Sequence, residues 1–231
     1  MKDEQQKTKW ENFKQESAKF RNGPLTALIT RRLSIRVTYL LRNTFVTPNM
    51  VTTASLIIFL AGVPFFIIGY NNIIMMIIGV VITQFAYVLD CSDGELARYK
   101  SMTSPLGAWL DSVFDRIKES AVFFAMTLNV YLKTQDYRII FVGFAAFINV
   151  IIAGYITDTK VSLNLKKTDS IAAIGKKYLI GLVEIVVFGV AITALFNKFE
   201  IMLLVFCFLG PLMWMFQIYK LIRKFKASAA K

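Results

Sequence analysis

The chain has 231 residues, 56% of them hydrophobic and 20 of them phenylalanine, with a mean hydropathy of +0.55; that is too apolar for an ordinary soluble domain of this length and fits a membrane protein. A formal net charge of +12 comes without a single histidine, which removes His-based triads and the common zinc sites and leaves oxygen as the donor for any metal. Cys91 and Cys207 both fall inside apolar segments and read as neither a disulfide nor a metal pair.

Residues 1–20 are polar. From Pro24 the stretch PLTALITRRLSIRVTYLLRN sets Leu25, Leu28, Ile29, Leu33, Val37, Leu40 and Leu41 near one helical face, with Arg31, Arg32, Arg36 and Arg42 over much of the rest. This predicts an amphipathic juxtamembrane helix within 21–46, lying in the interface with its cations toward headgroups; a helix that packs on its own domain would carry the same pattern. TPNMVT, residues 47–52, then opens the first span with proline at a helix start. Apolar runs long enough to cross a bilayer, at about 20 residues each, follow at 50–70, 73–90, 108–132, 138–157, 178–197 and 199–219. The expectation is an all-α polytopic membrane protein: a six-helix transmembrane domain over 47–223 and a basic tail over 224–231. Only Asn197 to Glu200 separate the last two runs, so a re-entrant pair is the other reading there. The charged first 45 residues and a first apolar run of full span length speak against a cleavable leader.

Basic residues give the orientation, because short cytoplasmic loops collect Lys and Arg. Ten precede Asn49, two (Arg98, Lys100) lie in the second loop, five (Lys160, Lys166, Lys167, Lys176, Lys177) in the fourth, and five in the tail. Lys133, Arg138 and Lys198 alone fall on the other side, and Arg116 and Lys118 lie within the third run. Both termini are therefore expected in the cytoplasm, with the positive charge drawn to anionic lipid headgroups. Nucleic acid is not expected as a partner, since no basic domain with interleaved aromatics stands outside the membrane.

The run LDCSDGELARYKSMTSPLGAWLDSVFDR, residues 89–116, places four carboxylates, Asp90, Asp93, Asp111 and Asp115, at the ends of two apolar segments. Each carboxylate at membrane depth costs about 2.5–3.5 kcal/mol. At about 100° per residue, Asp93, Gly94, Ala97 and Arg98 stand near −60°, +40°, −20° and +80° from Asp90, on one helical face. Gly107, Asp111 and Asp115 share a face of the next helix at i, i+4, i+8. A turn over Tyr99 to Pro105 makes the helices antiparallel neighbours, so the two carboxylate pairs can converge. Four such groups repel one another unless cations intervene; two divalent ions of hard character, Mg²⁺ or Mn²⁺, resolve the repulsion, and a bridged metal pair suits displacement at phosphorus. Gly94, Ala97 and Gly107 clear the same faces for a ligand, and Arg98 adds a cation for a phosphate oxygen. The plain alternative is helix packing through small residues, with Asp111 or Asp115 paired to Arg116 or Lys118.

Asp90, Asp93, Gly94, Ala97, Arg98, Gly107, Asp111 and Asp115 match D-x2-D-G-x2-A-R-x8-G-x3-D-x3-D, and in this the chain resembles the CDP-alcohol phosphotransferases. The layout of spans, the amphipathic N-terminal helix and the TPNMVT opening are similar to that family as well. The resemblance implies a homodimeric membrane enzyme that moves a substituted phosphate from a CDP-linked donor (CDP-diacylglycerol, CDP-archaeol or a CDP-polyol) to a small alcohol acceptor, releasing CMP. It implies two metals on the four aspartates, Asp115 as general base, and Gly94, Ala97, Arg98, Ser104 and Gly107 around the cytidine diphosphate, with Asn49 and Thr52 beside them. The signature run and GPLTALITRRLS look most like the branch containing di-inositol-phosphate-phosphate synthases and inositol-phosphate lipid synthases. No cytidylyltransferase domain is read in these residues, so the donor is expected to be made elsewhere.

The competing class is a divalent-cation transporter using the intramembrane carboxylates. Transport would continue polar groups across the bilayer, whereas Glu184 is the only acidic residue of the fifth run and residues 73–82 are apolar. Lys160, Lys166 and Arg116, near the expected base, would favour an anionic acceptor if they face its cavity; ordinary positive-inside charge explains them otherwise.

Overall fold

The computed structural model describes Thr8, residues 10–13, 26–162 and 182–229. Among these no strand occurs. A π-helical turn, Thr26–Thr30, runs into α1 (Arg31–Leu41). Then come α2 (Pro48–Ile68), a 3₁₀ turn (Gly69–Asn71), α3 (Ile73–Tyr99), α4 (Pro105–Thr134), α5 (Arg138–Ser162), α6 (Leu182–Leu195) and α7 (Phe199–Ala229).

The starts of the three helices that carry the site are fixed by local chemistry. The Thr47 hydroxyl accepts from the Met50 N–H at 3.3 Å ahead of Pro48. Asn72 Oδ1 accepts from Ile74 and Met75 at 3.0 and 3.4 Å. Ser104 Oγ accepts from the Gly107 N–H at 3.0 Å, with Pro105 in the first helical position. Each cap satisfies an amide that the helix itself cannot, and proline costs nothing there because its missing N–H had no partner to lose.

Four described helical stretches, Pro48–Asn71, Ile73–Tyr99, Arg138–Thr159 and Phe199–Arg223, are long and apolar enough to cross a membrane. They coincide with four of the six expected spans. The third expected span, 108–132, is one 30-residue helix, but Asp111, Asp115, Arg116, Lys118 and Glu119 fill its first turns and keep its hydropathy low. Of the fifth, 178–197, the described helix contributes 14 residues.

Small residues bring α2 and α3 together: a Cβ on Gly79 would come 2.8 Å from the Phe66 ring, and one on Gly62 would come 2.9 Å from Thr83. The core then fills with Phe66, Met76, Phe123, Met126, Phe199, Leu203 and Phe206, all buried. Phe66 meets Phe199, and Phe123 meets Phe206, edge to face, the arrangement that ring quadrupoles favour. Asn149 ties α5 to α7, its Oδ1 accepting from Trp214 Nε1 at 2.8 Å.

α1 lies on α3 by a face that hydrophobic periodicity does not mark. Ser34 and Thr38 are fully buried, while Leu33 and Leu40 are 42% and 73% exposed. Where the surroundings are lipid, small and hydroxylated residues make helix contacts and leucines face outward.

Candidate active site

α3 and α4 are joined by five residues, and the turn is held by backbone bonds from Lys100 to Leu96 (2.9 Å) and from Met102 to Ala97 (2.8 Å). Ser101 takes the left-handed conformation needed to reverse the chain, with φ of 55°. The hairpin brings one carboxylate oxygen each of Asp90, Asp93 and Asp111 within 4.8 Å of one another. Asp93 is buried, and its Oδ2 has no hydrogen-bond partner. A buried anionic oxygen without a donor is costly, and three convergent carboxylates form a donor set for a hard divalent cation. These residues therefore fit a metal.

Asp115 stands outside that group of three. Between it and Asp90 lies the ammonium of Lys118, which contacts Asp90 Oδ1 and sits 3.8 Å from Asp115 Oδ1. Ser55 of α2 also donates to Asp90 Oδ1, at 3.4 Å. The sequence set Lys118 against carboxylates of its own helix; the shorter contact is instead to Asp90 on α3.

Two cavities flank the aspartates, each lined by two of them. One, of about 220 Å³, is lined by Asn49, Thr52, Gly94, Ala97, Arg98, Ser104 and Gly107 together with Asp93 and Asp111. All seven positions that the family resemblance sets around the nucleotide thus share one cleft, at the end of α3 that enters the hairpin turn. A Cβ on Gly94 would meet only Arg98 Nη1, at 3.5 Å. Packing does not demand this glycine; its lack of a side chain leaves the cleft floor open. Gly107 is tighter, since a Cβ there would lie 3.2 Å from both Asn49 Oδ1 and Ser104 Oγ.

The other cavity, of about 60 Å³, is bounded by Asp90, Asp115, Lys118 and Glu119 on one side and by Phe59, Val122, Val186 and Val190 on the other. Thr83, Gln84 and Tyr87 complete its wall. Gln84 Nε2 donates to the Val187 carbonyl at 3.1 Å, fastening α6 to α3.

The three residues expected near the acceptor are placed unequally. Arg116 is held by Glu119 at 2.6 Å and by Asp158 of α5 at 3.7 Å. It lies where a Cβ on Gly154 would stand, so α5 admits the guanidinium only because residue 154 is glycine. Lys160 belongs to the last turn of α5, its side chain lying outside the described residues, as does the whole of Lys166.

Glu95 was not singled out by the sequence. It is fully buried on the far side of α3 from the cleft, accepting from Ser34 at 2.8 Å and Thr38 at 2.9 Å, with Arg31 Nη1 at 3.3 Å. Ser92 Oγ adds a bond to the Ser34 carbonyl at 3.3 Å. The available signal was angular: Glu95 falls about 140° from Asp90 on a helical wheel, so it had to answer to a different neighbour.

Residues 45–222 match the CDP-alcohol phosphatidyltransferase family, and the chain belongs to it. Among curated proteins it is 30% identical over 137 residues to the bifunctional IPC transferase and DIPP synthase of Thermococcus kodakarensis, covering 59% of this chain and 29% of that protein. The protein of the same name from Aquifex aeolicus is 32% identical over 109 residues, 47% of this chain and 24% of that protein. The chain thus spans less than a third of the length of these two relatives. Among solved structures, the phosphatidylinositol phosphate synthase of Mycobacterium tuberculosis with CDP-DAG bound superposes with a TM-score of 0.61 at 19% identity, over 81% of this chain and 92% of that one. The same enzyme in complex with manganese and citrate superposes equally well, at 0.61 and 18% identity over 80% and 87%. At these identities the likeness is one of fold.

Proposed function

We propose that the chain transfers a substituted phosphate from a CDP-linked donor to an alcohol, releasing CMP. The observation that carries this reading is the single cleft that gathers Asn49, Thr52, Gly94, Ala97, Arg98, Ser104 and Gly107 and opens onto Asp93 and Asp111. The nucleotide lies over the small residues, where no side chain blocks the backbone, and Arg98 takes a phosphate oxygen. Two divalent cations, Mg²⁺ or Mn²⁺, held by Asp90, Asp93, Asp111 and Asp115, would neutralise the pyrophosphate and polarise the phosphorus under attack. Asp115, on the far side of the cluster and facing the second cavity, takes the proton of the incoming hydroxyl. The hydroxyl oxygen bonds to the phosphorus carrying the substituent, the bond from that phosphorus to the bridging oxygen breaks, and CMP leaves with that oxygen.

The donor is CDP-diacylglycerol, CDP-archaeol or a CDP-polyol, and the relatives' names support an inositol-phosphate or polyol-phosphate acceptor. An anionic acceptor would draw on Lys160 and Lys166, and on Arg116 if it exchanges Asp158, the longer of its two contacts. Both termini and the nucleotide cleft face the cytoplasm, in contact with anionic lipid, and the chain works as a homodimer. The deciding experiment offers the purified chain several CDP donors against a panel of alcohols, phosphorylated and not, and reads CMP and products by mass spectrometry. CMP formed with one donor–acceptor pair and abolished by EDTA supports the transferase; metal-dependent ion flux in vesicles without CMP binding would replace it with the transporter. Sidedness is read by cysteines placed at Ser101 and Gln135, in a background lacking Cys91 and Cys207. These positions bracket α4, roughly 45 Å apart at 1.5 Å per residue, and should label from opposite faces of the membrane.

A further inference from the structure

We infer that Lys118 is a built-in counter-ion standing where the second divalent ion binds, so that loading this ion requires the ammonium to leave. The inference rests on the two-ion reading above. Three carboxylates, Asp90, Asp93 and Asp111, already converge within 4.8 Å and form the readier of the two sites. The fourth, Asp115, is separated from Asp90 by Lys118 Nζ, which contacts Asp90 and lies 3.8 Å from Asp115. An ammonium and a divalent ion that use the same two oxygens carry the same sign and claim the same volume. They exclude one another.

Lys118 holds this place firmly. It is 8% exposed, and a lysine so enclosed by apolar residues needs anionic partners to remain charged. Among the described residues, the cavity of about 60 Å³ that Lys118 already lines gives the displaced ammonium room, and Thr83, Gln84 and Tyr87 offer oxygens there. The two ions therefore load unequally. The first enters among three carboxylates, and the second binds more weakly because it must also move a cation out of a satisfied position.

The test is equilibrium binding of Mn²⁺ to the purified full-length chain without substrates, read by the paramagnetic resonance of the free ion. The unmodified chain should bind two ions with affinities at least tenfold apart. Lys118→Met, which keeps length and loses charge, should tighten the weaker ion tenfold or more and bring the two affinities together; Lys118→Arg should keep them apart. Equal affinities in the unmodified chain would overturn the proposal without recourse to any variant. Equal tightening of both ions in Lys118→Met would overturn it too, since that is the signature of a charge acting at a distance rather than of an occupant. Binding of CMP to the Mn²⁺-loaded chain is measured in parallel. Failure to bind CMP counts against the transferase reading and leaves the ratio of ion affinities standing on its own.

Discussion

The cleft bounded by Gly94, Ala97 and Gly107 and the cavity bounded by Val122, Val186 and Val190 each take two of the four aspartates, Asp93 and Asp111 in the first and Asp90 and Asp115 in the second, and have little else in common. The first is made by leaving side chains out, so that backbone and polar caps are reachable from the loop end of the hairpin. The second is made by enclosing a cation, Lys118, in an apolar shell of three helices. Room for a ligand is thus supplied by omission on one side and by charge placement on the other. Substitutions should act accordingly, through bulk in the cleft and through partners lost in the cavity.

The largest effect is expected at the aspartates themselves. Asp90→Asn, Asp93→Asn, Asp111→Asn and Asp115→Asn should each lower turnover by about 10² to 10⁴-fold, the range for a lost acid–base or metal-bound group. Asp115→Asn, the one that lines the cavity and stands outside the group of three convergent carboxylates, should spare CMP affinity most. Equal loss of CMP affinity in all four, by calorimetry, would erase the distinction between the two sides.

Glu95→Ala comes next. It strands Arg31 and the hydroxyls of Ser34 and Thr38 behind the cleft, and breaking a buried pair costs about 3–5 kcal/mol. A lowered unfolding midpoint in detergent is the expected readout. Gln at this position keeps an acceptor oxygen and should recover part of the loss.

Gly94→Leu should weaken CMP about tenfold, the usual 1–3 kcal/mol for an intruding side chain, with little change in the unfolding midpoint because a Cβ there touches only Arg98. A fall in stability without a fall in CMP affinity would show that residue 94 is a packing glycine. The smallest change is expected from Gln84→Ala. It removes one hydrogen bond to Val187, about 1 kcal/mol, and should reach stability before it reaches CMP.

The carboxylates and the cleft were legible because each pair follows the helical period on its own helix. The sequence expected α3 and α4 to be direct neighbours, but each packs against α2, which brings their carboxylate faces to a common space. What lay beyond local register was harder to read. Lys118 reaches Asp90 across 28 positions, and in sequence it looks like a partner for its own helix. Ser34 and Thr38 were passed over because the sequence reading followed the leucines and arginines of that helix, whereas small and hydroxylated residues make the helix contact. Charge at the start of α4 serves the site and at the same time lowers the hydropathy by which a span is recognised. Six apolar runs and four qualifying helices differ for that reason at the third run.

All four aspartates hang from α3 and α4, which are joined by Lys100 to Ser104 and by the Lys118–Asp90 contact and which both pack against α2. Helices answer a thicker or thinner bilayer by tilting against their neighbours. Carboxylates carried on two helices that share α2 as their support ride through such tilting together, whereas the cavity, closed by α6 through the Gln84 bond, opens or narrows with it. Acyl-chain length in reconstituted vesicles should then tune how an acceptor enters and leave the spacing of the carboxylates alone.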